Sequence, residues 1–274
     1  MTEPGTRNAA APSNRFLADG QCCLPGIYGG VGPLSHTQFE QQLLAARHRR
    51  GARTDQDHPV WLLVSASSTP NRMASLAGTG ENAEPYIRHY AQVIEKAGAD
   101  VLFVICNTAH AYHSAVQRTL RIPWVHLMDI TVGHIRDTWP SLRAVGVLGT
   151  DGTLNTQLYH RALQKRGLVA IAPGVSTEPQ RLVMDAIFEP TWGIKATGAN
   201  ISDRARRGLA TAAEWCAGQG AQVVVAACTE VSVGLTPDQF STVPLVDPLA
   251  VAAEVLLDLA YGIRDPGEFL VRDV

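Results

Sequence analysis

Short apolar, β-branched runs alternate with segments of helical spacing along most of the chain. This alternation is typical of parallel sheets with helices on both faces, and such sheets bind ligands at the carboxyl edge of their strands. We therefore predict an α/β fold. The apolar runs predict strands at 25–29, 59–65, 100–105, 122–126, 143–149, 168–172, 221–227 and 243–246, and the helical patterns predict helices at 35–50, 82–97, 153–166, 200–218 and 248–261.

An internal repeat divides the chain into two similar halves. Two apolar runs, Val101–Cys106 and Val223–Cys228, each end at a cysteine that is followed by small polar residues. The glycine-containing runs Gly26–Gly30 and Gly146–Thr150 are separated by nearly the same interval as the cysteines. Several landmarks in the same order indicate a duplication. The pattern predicts two pseudo-symmetric α/β halves that face one another, each with one thiol at an equivalent strand end, so that one substrate could be held between the two sulfurs.

The expected domain boundaries follow from this repeat. We expect a disordered tail over 1–23, a first α/β domain over 24–130 and a second over 131–246. The topology of such duplicated folds allows the C-terminal segment 247–274, with its predicted helix, to pack back on the first domain.

Two stretches rich in Gly, Pro, Ser and Thr, at 65–72 and 189–198, interrupt the alternation of strands and helices. Each of them carries one cation, Arg72 in the first and Lys195 in the second. Long irregular loops in a compact fold are usually functional. We therefore expect both loops to contribute to the site.

Composition excludes several classes of function. A net charge of −2 offers no electrostatic basis for binding nucleic acid or an anionic membrane, and the local basic run 47–50 is interpreted as a solvated helix end. No stretch of 18 apolar residues predicts a transmembrane helix, and residues 1–20 lack the apolar core of a signal peptide. We therefore expect a cytoplasmic protein. Five cysteines without a CxxC pair disfavour both a disulfide framework and a zinc ribbon.

Two thiols on opposite sides of a carbon atom can invert its configuration. One removes a proton as the thiolate, while the other delivers a proton to the opposite face. A cysteine with an ordinary pKa of about 8.5 reaches both forms near neutral pH, and backbone N–H groups at a strand-to-helix turn favour the thiolate. Cys106 and Cys228 are the candidates for this chemistry.

Polar residues beside the two cysteines suit a carboxylate substrate. Asn107, Thr108 and Thr229 supply N–H and hydroxyl donors that could hold a carboxylate and offset carbanion charge. Arg72 and Lys195, from the two irregular loops, are candidates for a second carboxylate.

Cysteines in such positions can also be inert core residues or metal ligands. A single cysteine that ends an apolar strand is usually an inert core residue, and this is the expected role of Cys216. Cys106, His110 and His113 share one helical face and could ligate a metal, although no fourth ligand or supporting carboxylate is identifiable. A hydrogen bond between His110 and the Cys106 region is the favoured alternative. We expect no metal site.

The combined motifs resemble the cofactor-independent aspartate/glutamate racemase superfamily, and within it the aspartate racemase branch. Gly26–Leu34 resembles the opening glycine turn of the family, and Thr69–Arg72 its substrate-binding loop. Cys106–His110 matches the C-N-T-A-H motif, Cys228–Glu230 the C-T-E motif, and Ile194–Lys195 the I-K segment.

The resemblance implies two Rossmann-like domains, a site at their interface, no cofactor and a homodimer. It implies interconversion of L- and D-aspartate, or of another acidic amino acid, without pyridoxal phosphate. By this resemblance the acid/base thiols are Cys106 and Cys228, the side-chain carboxylate is bound by Arg72 and Lys195, the α-carboxylate is bound by Asn107, Thr108 and Thr229, and Gly30 of the glycine turn also contacts the substrate.

Several positions depart from the family pattern, namely Val31, Asn71 and residues 190–192. They leave three alternatives open beside an aspartate racemase. The first is a related reaction on another dicarboxylate or a modified amino acid, such as isomerisation of maleate or decarboxylation. The second is an amino-acid-binding module without catalysis, and the third is a metal-dependent hydrolase.

Overall fold

The computed structural model describes residues 16–236 and 239–270, so residues 1–15 of the expected tail and 271–274 of the C-terminal segment lie outside it. The strands are β1 (Pro25–Gly29), β2 (Leu62–Ser65), β3 (Val101–Val104), β4 (Ala144–Leu148), β5 (Val169–Ile171), β6 (Val223–Ala226) and β7 (Leu245–Val246). The α-helices of this part are α1 (Pro33–Arg49), α2 (Arg72–Leu76), α3 (Glu84–Lys96), α4 (His113–Gln117), α5 (Leu127–Thr138), α6 (Asp151–Asn155), α7 (Leu158–Gln164), α8 (Glu178–Phe188), α9 (Ile194–Thr197), α10 (Asp203–Gly218), α11 (Thr229–Gly234) and α12 (Pro248–Ala260), and short 3₁₀ turns lie at Asp55–Asp57, Thr108–Tyr112 and Pro266–Phe269.

The strands form two parallel sheets with the same internal order. The first sheet runs β2-β1-β3 and the second β5-β4-β6-β7. A single parallel bridge between Leu102 and Trp124 occupies, in the first sheet, the place that β7 takes in the second. The predicted α/β fold with two parallel sheets is confirmed, and the repeated strand order agrees with the internal repeat seen in the sequence.

Helices α5 and α12 join the two halves. Helix α5 follows the first sheet in sequence but also packs against α7, whereas α12 follows the second sheet and packs against α1 and α5. Their apolar side chains belong to one continuous core with the inner faces of β1, β3, β4 and β6. Burial of this surface couples the two halves, because neither sheet can leave the other without exposing apolar area to water.

The outer faces of the sheets are covered separately. Helix α3 packs its apolar stripe, which includes Ile87 and Ile94, on the first sheet. Helices α8 and α10 cover the second sheet. The central strands β1, β3 and β6 are therefore buried on both faces, as their continuous apolar sequences indicate.

Some elements differ from the sequence prediction. The predicted strand 122–126 is reduced to the bridge at Trp124. The predicted helix 153–166 is split into α6 and α7, because Gln157 adopts a left-handed conformation with φ 54°. Helices α5 and α8 were not predicted. In the part of the chain that the structure describes, no helix has the length and apolar character required to cross a bilayer.

Two of the expected boundaries, residues 130 and 23, fall within ordered parts of the structure. The expected boundary at 130 falls inside α5, a helix that contacts both halves. The expected tail ends earlier than 23, since the Gln21 side chain is buried and donates to the carbonyl oxygen of Val60, while Cys23 belongs to the central core. These residues are ordered by contacts with segments distant in sequence, which local composition does not reveal.

Candidate active site

A cavity of about 560 Å³ lies where the carboxyl ends of the two sheets meet. Equivalent strand ends contribute to its wall: Gly30 follows β1 and Thr150 follows β4, while Cys106 follows β3 and Cys228 follows β6. Each half of the repeat therefore supplies the same two positions. All eight residues predicted for the site line this cavity: Gly30, Arg72, Cys106, Asn107, Thr108, Lys195, Cys228 and Thr229.

The two thiols are nearly equal in exposure but differ in their contacts. Cys106 is 8% exposed and Cys228 is 7% exposed. The Cys228 thiol donates a hydrogen bond to Glu230 Oε2, with 3.0 Å between sulfur and oxygen. The Thr229 hydroxyl donates to the same oxygen at 3.1 Å. The other carboxylate oxygen, Oε1, forms an ion pair with Lys195 Nζ.

The contacts among Cys228, Glu230 and Lys195 determine which of these three side chains is charged. Burial and then the Glu230 carboxylate raise the pKa of Cys228 well above its ordinary value, and Lys195 opposes this only in part. Burial acts to raise the pKa of Glu230, but Lys195 and the hydrogen bonds outweigh it and lower the pKa. Burial acts to lower the pKa of Lys195, and Glu230 outweighs it and raises the pKa. The stable form is thus a neutral thiol beside an ion pair.

Thr108 ties the two halves together next to Cys106. Its hydroxyl lies 3.1 Å from Thr150 Oγ1 and 3.0 Å from Thr153 Oγ1, both at the start of α6 in the second half. A similar contact lies beside the other thiol, where the Ser35 hydroxyl of α1 donates to Thr229 Oγ1 at 2.6 Å. Hydroxyls therefore bridge the halves on both sides of the cavity.

Asn107 lines the cavity, and its side chain carries a buried amide donor. The Tyr159 hydroxyl of α7 donates to its Oδ1 at 2.7 Å, and both side chains are buried. Burial raises the pKa of Tyr159 far above its ordinary value, so its hydroxyl stays protonated. Asn107 Nδ2 is buried and has no hydrogen-bond partner among the described residues. An orphaned N–H pair in a polar cavity is costly unless a ligand accepts from it.

The Arg72 guanidinium is anchored by the backbone. Its Nη1 donates to the carbonyl oxygens of Thr69 and Pro70 at 3.2 and 3.0 Å, and its Nη2 donates to that of Val31 at 3.2 Å. Asn71 caps α2 by accepting from two backbone N–H groups of its first turn. The loop 65–72 is thereby joined to the glycine turn, and Arg72 Nε remains buried without a hydrogen-bond partner among the described residues.

Only glycine fits at Gly30. Its φ of 78° lies in the left-handed region, and a Cβ placed there would lie 2.5 Å from the backbone nitrogen of Ala66. The glycine turn and the loop after β2 therefore approach each other closely at the cavity wall.

Cys106, His110 and His113, the residues of the metal alternative, are not arranged around a common point in the described part of the chain. His110 Nδ1 lies 2.9 Å from the carbonyl oxygen of Cys106, and its Nε2 accepts from Trp124 Nε1 at 3.2 Å, so both ring nitrogens are used. His113 Nε2 lies 2.9 Å from the carbonyl oxygen of Trp124. Across residues 16–236 and 239–270, no group of three or more His, Cys, Asp or Glu side chains is arranged to hold a metal ion. The favoured alternative, a hydrogen bond from His110 to the Cys106 segment, is observed.

The sequence prediction omitted several residues of the site. Glu230 stands inside the C-T-E motif, so its position was visible although its contact with Cys228 and Lys195 was not. Ser35 and Tyr159 reach the site from helices that carry no motif, and nothing in the sequence singles them out.

Comparisons with known proteins identify the family of this chain. Residues 29–256 match the family model described as Asp/Glu/Hydantoin racemase. The broad specificity amino-acid racemase RacX of Bacillus subtilis (strain 168) is 28% identical over 239 residues, which cover 86% of this chain and 98% of RacX.

Solved structures show the same fold. The aspartate racemase of Picrophilus torridus superposes with a TM-score of 0.72 at 22% identity, over 86% of this chain and 94% of that one. A putative Asp/Glu racemase from Yersinia pestis gives a TM-score of 0.71 at 22% identity, over 87% of this chain and 99% of that one. Since the family match spans most of the sequence, the chain belongs to the Asp/Glu/Hydantoin racemase family and is an enzyme of the isomerase class.

Proposed function

We propose that this enzyme racemises amino acids by a two-base mechanism in which Cys106 and Cys228 act on opposite faces of the substrate α-carbon. The observation that carries the proposal is the position of the thiols. They follow equivalent strands of the two halves and line one cavity, so a substrate held between the halves would meet one sulfur on each side.

The chemistry balances without a redox step. The thiolate of one cysteine accepts the α-proton, and the electron pair of the broken C–H bond moves into the substrate carboxylate. The thiol of the other cysteine then gives its proton to the opposite face of the α-carbon. The configuration is inverted, and the two sulfurs have exchanged their protonation states.

Donors beside the cysteines support the carbanion in this proposal. The free Nδ2 of Asn107 would donate to the substrate carboxylate, where negative charge accumulates. The hydroxyls of Thr108 and Thr229 line the same cavity next to the two sulfurs. All three groups are held by contacts within the protein before substrate arrives, which reduces the reorganisation needed during proton transfer.

We propose aspartate as the first substrate to test. Arg72 from the first half and Lys195 from the second line the cavity, and together they would hold a side-chain carboxylate. A wider range of amino acids is the second candidate. It is favoured by the ion pair between Lys195 and Glu230, which leaves less positive charge for a second substrate carboxylate. The name of the relative RacX points in the same direction.

Proton NMR in D₂O tests the proposed function. L-Aspartate, glutamate, alanine and lysine are each incubated with the enzyme, and loss of the α-proton signal is followed together with chiral analysis. We expect exchange with inversion for at least one of them. Replacement of either catalytic cysteine by Ser is expected to lower the rate by roughly 10²–10⁴-fold, the usual contribution of a general acid or base.

Cys216→Ser is the matched control, because Cys216 is fully buried in the core of the second half and does not line the cavity. Wild-type rates in both Cys106→Ser and Cys228→Ser would contradict the two-thiol proposal. The homodimer and the cytoplasmic location remain predictions from the sequence, and light scattering coupled to gel filtration checks the first of them.

A further inference from the structure

Glu230 is a buried carboxylate that the two-thiol mechanism does not use. Its side chain is 7% exposed, and each of its oxygens is engaged. Oε2 accepts from the Cys228 thiol at 3.0 Å and Oε1 is paired with Lys195. An ionised carboxylate in this position can accept a hydrogen bond from a thiol, but it repels a thiolate.

We propose that Glu230 is a positioning residue that keeps Cys228 as the protonated thiol of the free enzyme, so that Cys228 donates a proton in the first turnover while Cys106 removes one. This assignment of roles rests on the proposed two-thiol function. It breaks the symmetry of the repeat, because Cys106 and Cys228 occupy equivalent strand ends, but among the described residues a carboxylate hydrogen-bonds only to the thiol of Cys228.

The other charged and titratable groups around Cys228 agree with this assignment. Lys195 of α9 is a cation that bonds the Glu230 oxygen that does not contact sulfur. Tyr159 of α7 stays protonated, and Arg72 and Cys106 line the same cavity as the sulfur. Burial and Glu230 together raise the pKa of Cys228, and Lys195 is the opposing group.

The role of Glu230 also determines how the two cysteines return to their starting protonation states. When Cys228 gives its proton to the α-carbon, its S–H bond breaks and the thiolate is left against the Glu230 carboxylate. Water then returns a proton to Cys228, and the proton that Cys106 took from the substrate passes to water. Lys195 lies close enough to Glu230 to reduce the repulsion during this interval, so it serves as a counter-ion of the site as well as a candidate substrate ligand.

Alkylation by iodoacetamide tests directly whether Glu230 keeps Cys228 protonated, because the thiolate is the reacting form. The rate at each cysteine is measured by peptide mass spectrometry between pH 6 and 10. We expect Cys228 to react more slowly than Cys106 in the wild type, although both are similarly exposed. Glu230→Gln removes the negative charge, lowers the pKa of Cys228 and is expected to accelerate its alkylation about tenfold at pH 7, which corresponds to a shift of one pH unit.

Two further variants sharpen the test. Glu230→Asp keeps the negative charge and is expected to leave the alkylation of Cys228 slower than in Glu230→Gln. Ser35→Ala removes the neutral hydrogen bond to Thr229 beside Cys228 and is expected to leave the pH profile in place. In turnover, the high-pH limb of kcat/KM is expected at lower pH in Glu230→Gln, a change that loss of packing alone would not produce.

An unchanged Cys228 profile in Glu230→Gln, or alkylation of Cys228 that is as fast in Glu230→Asp as in Glu230→Gln, would overturn the inference. Should Glu230→Gln fail to fold, the comparison of Cys228 with Cys106 in the wild type and in Glu230→Asp decides the question. Alkylation requires no turnover, so the two proposals fail separately. Absence of racemisation with every amino acid would contradict the proposed function, whereas an active enzyme with an unshifted profile would contradict only the role of Glu230.

Discussion

At the scale of single residues, equivalent positions of the repeat have acquired different partners. Cys228 contacts a carboxylate two residues along its own chain, whereas Asn107, next to Cys106, is oriented by a tyrosine from the other half. The motifs predicted which residues surround the cavity. They could not predict these partners, because Tyr159 and Lys195 reach the site from segments that are distant in sequence.

Tyr159→Phe is expected to weaken substrate binding. The variant keeps the packing but loses the hydroxyl that fixes the orientation of the Asn107 amide. A hydrogen bond contributes about 1 kcal/mol net, so we expect KM to rise about fivefold. Steady-state kinetics with the best substrate of the NMR panel measures it.

Tyr261→Phe is the control for that variant. The Tyr261 hydroxyl donates to the carbonyl oxygen of Asp57 at 3.0 Å, and neither residue lines the cavity. We expect a similar change in thermal stability for both variants, with KM raised in Tyr159→Phe alone. An equal rise of KM in both would mean that the tyrosines act only through packing.

At the scale of elements, periodicity located several long helices, but it missed the long helices α5 and α8 and most of the short helices around the cavity. Helices α3, α10 and α12 lie within a few residues of their predicted ranges. Helices α2, α6, α9 and α11 around the cavity have four to six residues each. Such short helices are only marginally stable alone, and tertiary contacts rather than local sequence determine where they form.

Leu256→Ala tests whether α12 couples the two halves. Leu256 is fully buried in the core shared by both sheets. We expect the free energy of unfolding to fall by about 2–5 kcal/mol, the usual cost of removing a buried leucine side chain. Urea denaturation followed by circular dichroism should show one transition at a lower urea concentration.

Ile263→Ala, a change at a 68% exposed side chain just after α12, is the matched control. It is expected to alter the free energy of unfolding by less than about 0.5 kcal/mol. If Leu256→Ala were equally mild, or produced two separate transitions, α12 would not couple the halves in the way the shared core indicates.

At the scale of the whole molecule, the structure predicts a loss of stability in acid. His110, His113 and His126 cluster around Trp124, with the rings of His113 and His126 centred 4.8 Å apart. Burial, with His113 and Lys165 nearby, lowers the pKa of His126 to about 3, and the half-exposed Asp129 carboxylate 3.3 Å away does not offset this.

The pKa values of the other two imidazoles in the cluster are also lowered, chiefly by burial. Above pH 6.5 these histidines are neutral in both the folded and the unfolded chain. Below it the unfolded chain takes up protons that the folded protein does not, so the free energy of unfolding falls as the pH decreases toward 4. Each histidine that stays neutral in the folded protein lowers the free energy of unfolding by about 1.4 kcal/mol for each pH unit below 6.5.

Urea denaturation between pH 4 and 7.5 measures this dependence. His126→Asn is expected to flatten the pH slope, while His89→Asn, a change at an exposed histidine, should leave it unaltered. A slope that is identical in wild type and His126→Asn would show that this histidine does not contribute to the acid sensitivity.

The sequence by itself determined the α/β class, the internal repeat and eight residues of the cavity wall. Strand runs, helix periodicity and the motifs around Cys106 and Cys228 are local patterns, and parallel strands bring their carboxyl ends to one edge. The tertiary structure alone decided the exchange of α5 and α12 between the halves, the contact of Tyr159 with Asn107 and the ion pair beside Cys228. The physical reason is that these contacts join segments far apart in the chain, whose distances are set by how the core packs.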